Sequence, residues 1–145
     1  MAFQNASVSD FKSQFFRDFP YGSDPNVAVL DQDIAQAFVQ TNVTINQALF
    51  GDQATYTFYY CMLSAHFLVL NLRASSQGLN GQWNWAQNSK AAGAVNEGFE
   101  IPERIKNNPD FMAYYKTNYG AQYMNYCWPQ LCGQIFPIAG RTLPT

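Results

Sequence analysis

The chain is expected to be mainly α, a small helical bundle of about four helices with a long Gly-rich loop or hairpin insertion and an extended C-terminal arm. Three observations predict this. Apolar residues recur every three or four positions over residues 53–76, through Tyr56, Tyr59, Leu63, Phe67, Leu70 and Ala74. The helical pattern then stops at Gln77 and returns only at Pro109, and Gly78, Gly81, Gly93 and Gly98 punctuate the stretch between. Beyond Cys132, Pro137, Gly140 and Pro144 prevent further helix. A chain of 145 residues is one domain's worth, and a domain of about 150 residues buries roughly two-thirds of its unfolded surface. Residues 1–145 are therefore read as a single domain, with a helical core at about 7–76 and 109–128, a loop or hairpin arm at about 77–108 and an extended arm at about 133–145.

Each element has its own signal. Ser7, followed three residues later by Asp10, is a capping-box-like start, and the first helix should run to about Arg17 with Phe11, Phe15 and Phe19 as its stripe and Phe16 beside it. Pro20 ends that segment, and Gly22 and Asp24-Pro25 mark a turn-rich loop. Asp31 can cap a second helix that runs to about Gln47, where Ile34, Phe38, Thr41, Ile45 and Leu49 keep helical spacing until Gly51-Asp52. The third helix, about Gln53 to Ser76, is apolar around much of its circumference, as expected of a central helix or one that touches neighbouring subunits. The glycine-punctuated stretch that follows is too long for a plain connection, and Ala91 to Ile101 within it has weak alternation consistent with a short hairpin. Asn108 and Pro109 open a fourth helix that should reach about Trp128 before Pro129, with Phe111, Tyr115, Tyr119, Tyr123 and Tyr126 in one stripe and Gly120 marking close packing.

Composition narrows the function. Charged residues make up 12% of the chain and aromatics 17%, against about 25% charged in an ordinary soluble domain. Thirteen Asn and thirteen Gln carry much of the polarity instead. Such a surface desolvates at low cost, and interface cores are depleted in charge and rich in aromatics; a subunit enclosed by an assembly fits this better than a free-standing domain. A net charge of -2 leaves no basic stripe for gripping phosphates. No apolar run has the length of a membrane span, and no secretory leader pattern stands at the N-terminus. Cys61, Cys127 and Cys132 are odd in number and are expected to be reduced.

Nothing in the pattern calls for catalysis. His66 is the only histidine, and a lone His on an apolar helix reads as a hydrogen-bonded core residue because acid-base or metal chemistry needs partners in reach. Asp31 and Asp33 are spaced so that they point from different helix faces, and capping accounts for them. Cys127 and Cys132 lack the spacing of a zinc pair. No phosphate-cradling, triad or dinucleotide motif is present. An enzyme, a metal site and a cofactor are therefore not expected. Trp83-Asn84-Trp85 places two indoles in a Gly-flanked loop, where contact with a neighbouring subunit and packing on the domain's own core stand level.

The run Phe11-Lys12-Ser13-Gln14-Phe15-Phe16-Arg17-Asp18-Phe19-Pro20, with Asp33-Ile34 opening the next helix, resembles the N-terminal half of the head-to-tail connector, or adaptor, proteins of tailed bacteriophages. Ala65-His66-Phe67-Leu68-Val69-Leu70 is similar to that family's central Ala-His helix. Thr117-Asn118-Tyr119-Gly120 followed by Tyr123 is similar to its Thr-x-Tyr-Gly helix, and Gly133-Gln134-Ile135-Phe136 with Ala139-Gly140 to its C-terminal end. The resemblance covers nearly the whole chain; the Trp83-Asn84-Trp85 insertion and the amide-rich surface depart from it. It implies a virion structural protein of the neck, assembled in the host cytoplasm as a homo-oligomeric ring, typically a dodecamer. The portal protein would lie above the ring and a tail or neck protein below, with DNA passing through the lumen without specific binding. Trp83, Trp85, Phe99, Ile135, Phe136, Ile138 and Arg141, on the two arms, are the candidate protein-interface residues. A tail-side completion or tail-terminator protein is the alternative within the same class, and a small DNA-binding accessory protein the alternative outside it.

Overall fold

The computed structural model describes residues 2–77, 89–92, 95–98 and 107–131, and over these the chain is a helical bundle. α1 spans Val8–Gln14, α2 Asp31–Thr44, α3 Gln53–Gln77, α4 Pro109–Tyr114 and α5 Asn118–Leu131, with one 3-10 turn at Gln47–Leu49. Ser89–Ala92 (β1) pairs antiparallel with Val95–Gly98 (β2), Ser89 opposite Gly98 and Ala92 opposite Val95. The hairpin thus begins two residues before the expected Ala91. The arm beyond 132 lies outside the described residues.

α3 is the hub. Its middle, from Tyr60 to His66, is buried on every side, and α1, α2 and α5 pack around it. α2 runs antiparallel to it: Gln40 meets Asn71, Thr41 meets Ser64 and Asn42 meets Tyr60. α5 is antiparallel on another side, with Thr117 at His66 and Tyr126 stacked on Tyr59 at a centroid distance of 4.0 Å. Of the two roles left open for an all-round apolar helix, α3 fills the central one. No helix among the described residues is long and apolar enough to cross a membrane.

The caps explain where helices begin. Ser7 and Asp10 form the expected capping box: the Ser7 N–H donates to the Asp10 carboxylate at 2.8 Å and the Asp10 N–H to the Ser7 hydroxyl at 3.3 Å. α1 is shorter than its apolar stripe, ending at Gln14; Phe15 already leaves helical geometry and residues 15–18 turn. At α2 the capping differs from expectation. Leu30 is the cap residue, and it is Asp33 whose carboxylate accepts the Leu30 N–H at 2.9 Å. Asp31 instead pairs with Lys12 at 2.6 Å, an exposed pair of small worth. α2 ends at Thr44, not near Gln47, because the Asn46 side chain accepts the Ala48 N–H at 3.1 Å and sets the separate 3-10 turn. Asp52 opens α3 by accepting the Thr55 N–H at 2.8 Å.

The expected fourth helix is two helices. Asn108 caps α4 as anticipated, accepting the Asp110 N–H at 3.2 Å. Thr117, however, caps a new helix, its hydroxyl accepting the Gly120 N–H at 3.1 Å, and the chain turns through residues 115–117 between the two. The stripe from Phe111 to Tyr126 concealed this break because its spacing stays helical across it. Pro129 does not stop α5, which continues to Leu131. So near the end of a helix the missing proline N–H forfeits a single bond.

Candidate functional site

None of the seven candidate interface residues, Trp83, Trp85, Phe99, Ile135, Phe136, Ile138 and Arg141, falls among the described residues, and neither does Cys132. What the fold does display is a nearly uncharged stretch of surface on α2 and α3. Between Asp33 and Arg73 the chain has one charged residue, Asp52, and that stretch builds α2 and most of α3. Val39 and Val43, one turn apart on α2, are 64% and 86% exposed, with Phe58 of α3 and Phe16 after α1 also exposed. Gln36 and Gln40 lie exposed on the same helix. The sequence carried this signal: with Ile34, Phe38, Thr41 and Ile45 assigned to the core, positions 39 and 43 fall off the inward stripe, and the valines there stand exposed.

Part of the amide surplus is used inside the molecule. Gln53 donates to the Gln4 carbonyl at 2.7 Å and accepts the Gln4 N–H at 2.9 Å. Asn42 accepts from the Tyr60 hydroxyl at 2.7 Å and from Asn5 at 3.0 Å. Gln14 reaches the Phe58 carbonyl at 3.2 Å. These bonds lash the N-terminal segment, α1 and α2 to α3 without charge.

Two polar clusters sit in the core. Thr41 and Ser64 hydroxyls lie 2.9 Å apart across the α2–α3 seam, each also within reach of a carbonyl of its own helix, Ala37 for Thr41 and Tyr60 for Ser64, so that one hydroxyl donates across the seam while the other donates to its helix. His66, 2% exposed, places Nδ1 at 2.6 Å from the Thr117 hydroxyl, and the Tyr114 ring stacks on the imidazole at 5.7 Å. Gly120 completes this cluster, since a Cβ there would meet the Tyr114 carbonyl and stand 2.6 Å from His66 Nδ1. His66 is thus the hydrogen-bonded core residue the sequence suggests, and Gly120 marks the close packing expected of it. Among the described residues no buried side-chain nitrogen or oxygen lacks a partner, so neither cluster offers an unmet group to a ligand.

Burial, then the nearby cations Lys116 and Arg73, push the His66 pKa from 6.5 down to about 4. The folded chain keeps this imidazole neutral where an unfolded one takes up a proton. Above pH 6.5 the group contributes no pH dependence; as pH falls from 6.5 towards 4 it progressively destabilises the fold. Burial likewise raises the thiols, Cys61 to about 12 and Cys127 above its ordinary value. Both thiols are buried and unbridged. Because the thiolate is the reactive form, peptides carrying Cys61 and Cys127 should remain unlabelled by an iodoacetamide-type reagent in native protein and label fully in denaturant; rapid native labelling would contradict their burial. No group of three or more His, Cys, Asp or Glu is placed to hold a metal ion among the described residues.

Comparison of the chain with protein-family models, with curated proteins and with solved structures finds no match.

Proposed function

We propose that this chain is a non-enzymatic structural subunit of a tailed-bacteriophage neck, a head-to-tail connector. It forms a ring, typically of twelve copies, beneath the portal protein, with a tail or neck protein below and DNA passing through the lumen unbound. The observation that carries this reading is the order of the family-like segments along the chain, from Phe11 to Pro20, Ala65 to Leu70, Thr117 to Gly120 and Gly133 to Phe136. Two of these segments touch, His66 of one against Thr117 and Gly120 of the other, so the residues behind the resemblance serve one packing unit.

The surface supports the same reading. Ring closure joins one patch of a subunit to a different patch of the next, and the uncharged α2 face around Val39 and Val43 is cheap to desolvate against such a partner. A net charge of -2 suits a channel wall that must let DNA slide, since Lys and Arg there would hold phosphates.

Negative-stain imaging of the purified protein, alone and mixed with the portal protein of the same phage, tests the proposal. Rings, or a collar added to the portal, are expected. A monomer that ignores the portal would overturn the connector role and favour the tail-side alternative. Val43→Asp should disperse the rings, because a charge would then be desolvated at the contact, while the melting temperature of the subunit stays within a few degrees. Rings that survive Val43→Asp would remove the α2 face from the interface.

A further inference from the structure

α4 is a lightly held element. It has six residues, none of them buried. Its ring contacts are Phe111 with Trp128 and Tyr114 with Tyr123, both on α5, and Tyr114 with His66 of α3. Among the described residues two hydrogen bonds join α3 to the elbow formed by α4 and residues 115–117: His66 with Thr117, and the Arg73 guanidinium donating to the Lys116 carbonyl at 3.3 Å. The first is buried and the second exposed. α5 is held independently, through its buried Tyr123, Met124 and Cys127.

We infer that the elbow of residues 109–117 is a protonation-released hinge: neutral His66 pins it to α3, and charged His66 frees it while the body of α5 stays packed. A neutral imidazole has one donor and one acceptor, whereas the charged ring has two donors and no acceptor. The Thr117 hydroxyl beside Nδ1 already accepts the Gly120 N–H, which leaves it one lone pair for an imidazolium with two donors. Among the described residues no carboxylate compensates the charge. From α3 it faces Arg73 and from the turn Lys116, both cations. From α4 it faces the neutral phenol of Tyr114, whose own nearby charge is Asp110, and from α5 it faces Gly120, with neutral Tyr123 and Cys127 behind. An uncompensated buried charge is relieved by exposure to water, and of the described elements around His66 the elbow is the one with least holding it. The lowered pKa of His66 agrees with this placement.

Amide hydrogen exchange read by mass spectrometry, corrected for intrinsic rates, tests the hinge on the whole chain. Between pH 7 and 4.5, peptides over 109–117 should lose protection by roughly fiftyfold, the ratio expected for a group that titrates normally when open and near 4 when pinned. Peptides from α2 and α3, which open only when the whole chain unfolds, also feel the normal titration of unfolded His66 but should stay better protected than the elbow at both pH values. His66→Asn retains a side-chain amide near Nδ1 and does not titrate, so the elbow's protection should become independent of pH. If that variant does not fold, Lys116→Gln decides: with one cation gone the buried charge is better tolerated, and the loss of protection should shrink several-fold. An elbow no less protected than α2 and α3 at either pH, an elbow whose pH response survives His66→Asn, or an unchanged response in Lys116→Gln would each overturn the hinge.

Discussion

Gly120→Ala is expected to destabilise the protein by about 3 kcal/mol, opposite in sign to the same change on an open helix face, where alanine stabilises by about 1 kcal/mol. The reason is space. An added methyl group would lie against the Tyr114 carbonyl and 2.6 Å from His66 Nδ1. The carbonyl is backbone and cannot rotate aside, and the imidazole is fixed by its bond to Thr117. Relief requires α4 to move off α5, which would separate Tyr114 from the His66 ring. For a chain of this size the cost corresponds to a fall of about 10 °C in melting temperature, measurable by circular dichroism at pH 7, where His66 is neutral and contributes no slope. A melting temperature raised by the alanine would mean that the α4–α5 elbow does not approach as closely as described.

How much of this was legible beforehand depended on whether a signal was local. The Ser7–Asp10 box, the Asn108–Pro109 start and the aromatic stripe of Phe11, Phe15 and Phe19 involve neighbours in sequence, and the fold bears them out. The apolarity of α3 on all faces left two roles open, a central helix or one touching neighbours, and its burial within the bundle fills the first. The break before α5 was hidden for a different reason: Phe111, Tyr115 and Tyr119 keep a helical interval, and periodicity cannot tell one helix from two when a cap falls in phase with the stripe. Thr117 was visible in the sequence, but the decision to use its hydroxyl as a cap is made by His66, fifty-one residues away. The same limit applies to the amides. Their number suggested a surface waiting for a partner, yet Gln4, Asn5, Gln53 and Asn42 have already found partners within the chain. What that leaves for an assembly is narrower and more specific, the valine-bearing side of α2, which composition alone did not single out.

Phe11→Ala should cost about 4 kcal/mol and lower the melting temperature by about 13 °C, whereas Phe16→Ala should stay within about 0.5 kcal/mol of the parent chain. The two phenylalanines are five residues apart in one short aromatic segment, Phe11 on α1 facing the core and Phe16 on the turn that follows α1. Phe11 is wholly buried, its ring 5.0 Å from Phe15, 5.8 Å from Phe19 and 6.1 Å from Phe38. It therefore joins α1 to α2 and to the chain that follows α1, and removing it opens a cavity that three aromatic rings cannot collapse to fill without leaving their own contacts. Phe16 is 66% exposed and lies beside the Arg17 guanidinium, so its removal takes little surface out of the core. Urea titrations of both variants would measure the difference directly. Equal losses would mean that Phe16 is covered in the folded chain and that the turn after α1 lies against the core. A small loss at Phe11 would mean that α1 is peripheral and that the Phe11 to Pro20 segment does not anchor the core.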